Sequence, residues 1–187
     1  MDLAQQIYAT YQHDAPRPHL GASIAGKQCA RAIWYQWRHA YTKKHDGRLL
    51  RLFKTGHLAE DRIIAELRQA GYEVKDRDEN GKQFAFSDLG GHFAGSCDGM
   101  IKIGDEWHLL EVKTHNQKSF DDLVKHGVKQ SKPQHAGQMF IYMHYFKLSK
   151  ALYVAENKNT SEIYTEVVEA NESGTIALIE SSKSIII

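Results

Sequence analysis

Apolar residues recur along this chain with two periods, and the switches between them outline its elements. After a loop marked by Pro16 and Pro18, Ile24, Ile33, Trp34 and Trp37 fall at broadly helical spacing between Ala22 and Tyr41, with Ser23 as a candidate N-cap. Gly56 to Gly71 predicts the clearest helix: Leu58, Ile63, Ile64 and Leu67 make an apolar stripe, and Gly71 is placed to end it. Gly71–Phe86 reads as two short strands around the turn pair Asn80-Gly81, and Phe93–His115 as two more strands and a tight turn. Helical regions follow at Phe120–Gly127 and Gln134–Phe146, then strands Ala151–Glu156 and Glu162–Val168 about a polar turn, then a short final helix. Helices, a strand group, helices and more strands predict an α/β domain, a mixed central β-sheet flanked by α-helices. The expectation is one domain over residues 1–187, with a mostly helical section at 1–55 and a core at 56–170.

Composition narrows the picture only a little. Formal net charge is +1, so overall electrostatics neither announce nor exclude a nucleic-acid binder, and any basic surface must be local. The two cysteines, Cys29 and Cys97, are far apart and form no CxxC, which argues against a disulfide framework and against a zinc or iron–sulfur site. No apolar run approaches the roughly 20 residues of a membrane span, and the polar start of the chain is unlike a secretory signal. A reducing, cytoplasmic setting without a membrane partner is expected.

The chemistry concentrates in Phe93–His115, where a strand pair carries an aspartate, a glutamate and a lysine. Gly104-Asp105 suits a two-residue type II′ hairpin loop with glycine first. Facing residues then have numbers summing to 209, so Asp98 lies opposite Glu111 and Ser96 opposite Lys113. Opposed residues of an antiparallel pair share a face, and the two-residue strand period adds Lys113 to it while Leu110 and Val112 point the other way. Two like charges so opposed repel each other. A divalent cation reverses the sign, because carboxylates supply the hard oxygens that magnesium or manganese prefers. The lysine would orient or deprotonate a water, or neutralise charge on a phosphoryl oxygen.

Here the chain resembles the PD-(D/E)XK nuclease superfamily, with Asp98 as first acid and Glu111-Val112-Lys113 as the (D/E)XK, Cys97 standing where a proline is usual. "GHLAE" (Gly56–Glu60) resembles the G-x-x-x-(E/H) helix of the lambda-exonuclease/YqaJ and RecB-like branches, and "QHAGQMFIY" (Gln134–Tyr142) their Q-x-x-x-Y helix through Gln138 and Tyr142. "CARAIWY" (Cys29–Tyr35) is similar to the C-x-R-x-x-x-Y segment before the core in RecB-like and CRISPR-adaptation nucleases, although the further C-terminal cysteines of those iron–sulfur relatives are missing, so no cluster is expected. The ordered match runs from about Ser23 to Lys158.

The resemblance implies a restriction-endonuclease-like core with a metal at one sheet edge, and a Mg2+-dependent DNA nuclease, Mn2+ substituting. An exonuclease acting on DNA ends in phage recombination or repair is favoured, with a site- or structure-specific endonuclease or a catalytically silent DNA-binding module as alternatives. Glu60, Asp98, Glu111 and the Val112 carbonyl would hold the metal. Lys113 would activate the attacking water, with Gln138 and Tyr142 beside it, and Ser23 and Arg31 would hold a phosphate near a DNA end. The partners so implied are DNA with free ends, further copies of the chain, and a single-strand annealing or recombination protein, in a bacterial host cytoplasm if the gene is a phage's. Each role has a plainer alternative: an exposed helix acid at Glu60, a core contact for Gln138 and Tyr142, a surface arginine at Arg31, a cap at Ser23. His57 is open as a further ligand, Lys158 as a turn residue or DNA contact. Trp34, Tyr35 and Trp37 are read as core packing rather than base stacking.

Overall fold

The computed structural model describes residues 2–12, 16–27, 29–40 and 44–187. The chain begins with helix α1 (Leu3–Ala9), a two-residue strand β1 (Leu20–Gly21) and helices α2 (Ala22–Ala25), α3 (Ala30–Trp37) and α4 (Gly47–Gln69). The single helical stretch expected from Ala22 is therefore two pieces, and Tyr41 lies outside the described residues. Gly26 follows α2 and lies so close to α6 (Pro133–Phe146) that a Cβ there would stand 3.0 Å from the Gln134 carbonyl oxygen. Ser23 is not a cap: Gly21 takes that position, and Ser23 sits in the first turn of α2.

Helix α4 starts at Gly47 rather than Gly56 because Asp46 caps it, its carboxylate accepting the Leu49 N–H at 2.7 Å. Its apolar stripe is narrower than the spacing suggested. Ile63 and Ile64 are buried, but Leu58 is 58% exposed. Gly71 follows with φ +93°, a conformation that favours glycine, as expected of a residue ending a helix.

The remaining elements are β2 (Val74–Lys75), β3 (Ala85–Asp88), β4 (Phe93–Ser96), β5 (Gly99–Ile103), β6 (Glu106–His115), α5 (Gln117–Ser131), β7 (Lys150–Asn157), β8 (Ile163–Glu169) and α7 (Glu172–Ile186). Five strands form a mixed sheet of order β2-β5-β6-β7-β8, in which β6 and β7 run parallel and the other pairs antiparallel. A smaller sheet has order β1-β4-β3. Asn80-Gly81 does not close a hairpin, since β2 and β3 belong to different sheets. That turn is local, with the Asp78 carboxylate accepting the N–H groups of Asn80 and Lys82.

The hairpin of β5 and β6 has the expected register, Gly99 against Leu110 through Ile103 against Glu106, with Gly104 at φ +60° in the turn. One step upstream the expectation fails. The chain leaves one sheet for the other at Cys97-Asp98, so Ser96 pairs with Ala85 of β3 and not with Lys113. Along β6 the side chains alternate between two apolar layers. Leu110 and Val112 join Ile63, Ile64, Val74, Ile101, Leu152 and Val154 under α4, while Leu109 joins the larger cluster that includes Met139, Ile141 and Tyr142 of α6. Among the described residues no helix is long and apolar enough to cross a membrane.

Leu110 is wholly buried in the layer beneath α4. Leu110→Ala should cost about 2–5 kcal/mol of stability, read as a lowered midpoint of urea unfolding with an unchanged slope.

Candidate active site

The site forms where the two sheets part. Gly99, which opens β5, is pressed against the Lys75–Asp76 backbone, where a Cβ would lie 2.8 Å from the Lys75 carbonyl oxygen. Just before it, Asp98 turns its carboxylate to the next strand and accepts the Val112 N–H at 2.8 Å. That bond ties the first acid to the strand bearing the second, and among the described residues no donor is bonded to its other oxygen.

Glu111, on the central strand of the larger sheet, is 0% exposed. Its countercharge and hydrogen-bond donor is the Lys113 ammonium, which lies against Oε1, and among the described residues no other donor reaches the carboxylate. Lys113 Nζ also donates to the Val112 carbonyl at 3.1 Å and stands 3.8 Å from Asp98 Oδ2. One cation thus sits among three oxygen-bearing groups: two carboxylates and a main-chain carbonyl. Burial opposes charge on both members of the pair. For Glu111 burial wins and its pKa is raised, whereas Lys113 is held charged by the carboxylates of Glu111 and Asp98 despite its burial.

Glu60 comes from α4, which packs on β6. It shares a helix face with Ile63, Ile64 and Leu67 at spacings of three, four and seven, so burying the apolar stripe draws it inward. Burial, and then the charge of Asp98, push its pKa up to about 7. His57 Nδ1 stands 3.9 Å from Glu60 Oε2, with its ring largely in solvent. Among the described residues no three His, Cys, Asp or Glu side chains are set close enough to ligate one ion together. The tight constellation is Asp98, Glu111, the Val112 carbonyl and Lys113, with Glu60 near enough to feel their charge.

From the opposite face of the sheet α6 brings Gln138 and Tyr142, both buried, with Gln138 Nε2 donating to the Tyr142 hydroxyl at 3.4 Å. Tyr142 packs against Gly95, where a Cβ would lie 2.8 Å from the ring. Burial and the charge of Glu111 hold its hydroxyl protonated. A third polar group lies behind Glu111. Tyr153, its neighbour across β6 and β7, shares its hydroxyl between His115 Nε2 at 2.9 Å and His135 Nδ1 at 2.8 Å. Burial and nearby lysine charge lower both histidines, to about 4 and about 3 respectively, so they stay neutral beside Lys113.

Two clefts of about 610 and 910 Å³ meet at Arg17, His57 and Glu60. The first is lined also by Ser23, Arg77, Asp98, Gln138 and Tyr142. The second is lined by Tyr11, Phe53, Lys54, Val112, Lys113 and Lys158. Ser23 therefore shares a cleft with Asp98 and Lys158 shares one with Lys113, whereas Arg31 is exposed on α3 and lines neither cleft. Arg17 and Arg77 escaped the sequence reading. Neither belongs to a periodic element or a motif, and both reach the site only through the tertiary fold.

A five-stranded mixed sheet with helices on both faces, Glu111 and Lys113 on its central strand, has the restriction-endonuclease-like α/β fold expected from the motifs. Solved structures share it. An alkaline exonuclease from Laribacter hongkongensis superposes with a TM-score of 0.66 at 14% identity, over 97% of this chain and 90% of that one. The same enzyme in complex with dAMP gives 0.65 at 14% identity, over the same shares of the two chains. A phage related exonuclease from Haemophilus somnus 129PT gives 0.60 at 13% identity, over 96% and 94%. No protein-family model and no curated protein sequence matches the chain.

Raised carboxyl pKa values have a consequence for stability. Between the ordinary glutamate value of 4.5 and about 7, Glu60 holds its proton more in the folded than in the unfolded state, and Glu111 shifts the same way. The folded state is then favoured at low pH in this window and loses that advantage as pH rises. His115 and His135, lowered from the ordinary 6.5, act the other way below that pH, so the carboxyl contribution is read as a difference: in EDTA, the melting temperature of wild type relative to Glu60→Gln should fall between pH 5 and pH 7.5.

Proposed function

We propose that this chain is a divalent-metal-dependent DNA nuclease, acting as an exonuclease on DNA ends in phage recombination or repair. The observation that carries the proposal is the buried Glu111 carboxylate, whose sole donor among the described residues is Lys113, set with Asp98 just behind two clefts, one lined by Asp98 and the other by Lys113. A sheet designed only for packing has no reason to bury such a group, whose charged form costs several kcal/mol to desolvate. The donor set suits magnesium. Two carboxylates and a carbonyl are hard oxygens, and magnesium characteristically binds through one or two carboxylates while keeping several waters.

Asp98, Glu111 and the Val112 carbonyl would hold the ion, with Glu60 reaching it through water. The ion's part is to polarise the scissile phosphate and make water more acidic. The chain's own residues do the rest. Lys113 must leave the oxygens it now touches, and its ammonium then aligns the attacking water or offsets charge growing on the phosphoryl oxygens. Gln138 and Tyr142, both neutral, would donate hydrogen bonds from the floor of the first cleft without adding charge. Arg17 and Ser23, which flank Gly21 there, would hold a backbone phosphate. The likeness in fold to proteins named as exonucleases supports an exonuclease over an endonuclease, and retention of Asp98, Glu111 and Lys113 supports activity over a silent module.

Purified protein with Mg2+ should shorten linear duplex DNA and leave closed circles intact, and EDTA should stop it. Lys113→Ala should lower the rate by at least about 10²–10³-fold while circular dichroism shows the fold retained. Undiminished cleavage by that variant overturns the mechanism, nicking of circles converts the reading to an endonuclease, and binding without cleavage leaves only the silent module.

A further inference from the structure

Helix α3 exposes its largest rings. Ile33 is buried and Trp37 packs on the core, but Trp34 and Tyr35 are 43% and 44% exposed. They were expected inside. Arg31, Trp34, Tyr35 and Arg38, the residue that closes the helix, fall at spacings of three, four and seven and so share its outer face. The two rings meet edge to face with centroids 5.3 Å apart, and the Arg38 guanidinium lies 6.0 Å from the Trp34 ring centre. Two aromatic rings held in water between two cations forgo burial that the core could have offered. The arrangement calls for a ligand with flat faces and negative charge.

The surrounding sequence has the matching sign. Residues 15–45 contain six Lys or Arg and no Asp or Glu, in a chain whose net charge is only +1. Among the described residues, no carboxylate is paired with Lys27, Arg31 or Arg38: Lys27 donates to the Gln36 amide at 3.0 Å and Arg38 to the Ile186 carbonyl at 3.2 Å. The same acid-free run supplies Arg17, His19 and Ser23 to the first cleft before it reaches α3.

We propose that the outer face of α3 is a second binding strip for single-stranded DNA, on which bases stack against Trp34 and Tyr35 while Arg31 and Arg38 meet the phosphates. Stacking needs unpaired bases, which a duplex does not offer, and it tolerates any sequence because every base has a π face. An acidic protein would meet the charge but gives the two rings no defined role. This inference rests on DNA being the substrate and extends the contact beyond the cleft.

The test uses the whole protein in EDTA, where nothing is cut, with a fluorescently labelled oligothymidylate of about 20 nucleotides, longer than a typical single-strand site. Wild type should bind it with quenching of tryptophan emission and an affinity that falls linearly with log salt. Trp34→Ala/Tyr35→Ala should bind at least about tenfold more weakly, and Trp34→Phe/Tyr35→Phe should restore most of the loss; circular dichroism checks that each variant is folded. Equal binding by the double alanine variant overturns the strip, as does polyglutamate binding more tightly than the oligonucleotide. Cleavage is scored separately with Mg2+. Protein that binds through α3 but cuts nothing sinks the nuclease reading alone, and protein that cuts while the alanine variant binds normally sinks the strip alone.

Discussion

A carboxylate buried in the middle of a β-sheet, met among the described residues by a single lysine ammonium, is the constraint around which this structure is arranged. Glu111 occupies a strand position that packing alone would give to an apolar side chain, and a lone charge there would be expelled or protonated. Lys113, two residues along the same strand face, is the cation that offsets it, and the Val112 carbonyl between them turns toward the same ammonium. Asp98 brings a further oxygen within 3.8 Å of that cation, and the buried His115 and His135 stay neutral beside it.

The parting of the two sheets is what makes room. Were β4 to continue straight into β5 as one strand, Asp98 would be an ordinary ladder residue facing its partner. Because β4 pairs with β3 and β5 with β6, the chain bends at Cys97-Asp98 and the aspartate side chain is free to take the Val112 N–H. The same bend opens the cleft lined by Ser23, Gln138 and Tyr142. Behind the site, His115 and His135 share the Tyr153 hydroxyl as neutral rings, so the buried polar groups nearest Lys113 satisfy one another without competing for Glu111.

Charge on the surface is sorted as well. A chain of nearly balanced charge concentrates a cationic, acid-free run at residues 15–45 and leads it from the first cleft over α3. Balanced totals conceal such local fields, which act within roughly a Debye length of 8–10 Å. The exposed rings of Trp34 and Tyr35 stand within that region.

Much of the site was legible in the residues themselves, because it is built from local geometry. Gly104-Asp105 set the turn, the turn set the register, and the two-residue strand period put Glu111 and Lys113 on one face with Leu110 and Val112 on the other. The apolar stripe of Ile63, Ile64 and Leu67 likewise determined which way Glu60 faces. Other features depend on segments far apart in sequence, and no local pattern encodes them. Asn80-Gly81 is a sound turn whose flanking strands go to different sheets, Leu58 keeps helical spacing yet points to solvent, and Trp34 and Tyr35 look apolar but sit outside. Arg17 and Arg77 reach the cleft from loops with no period at all. Short-range sterics and the alternation of side chains were enough to write the acid pair into the sequence, whereas which surfaces remain uncovered, and which distant cations meet at the cleft, was decided only when the layers packed.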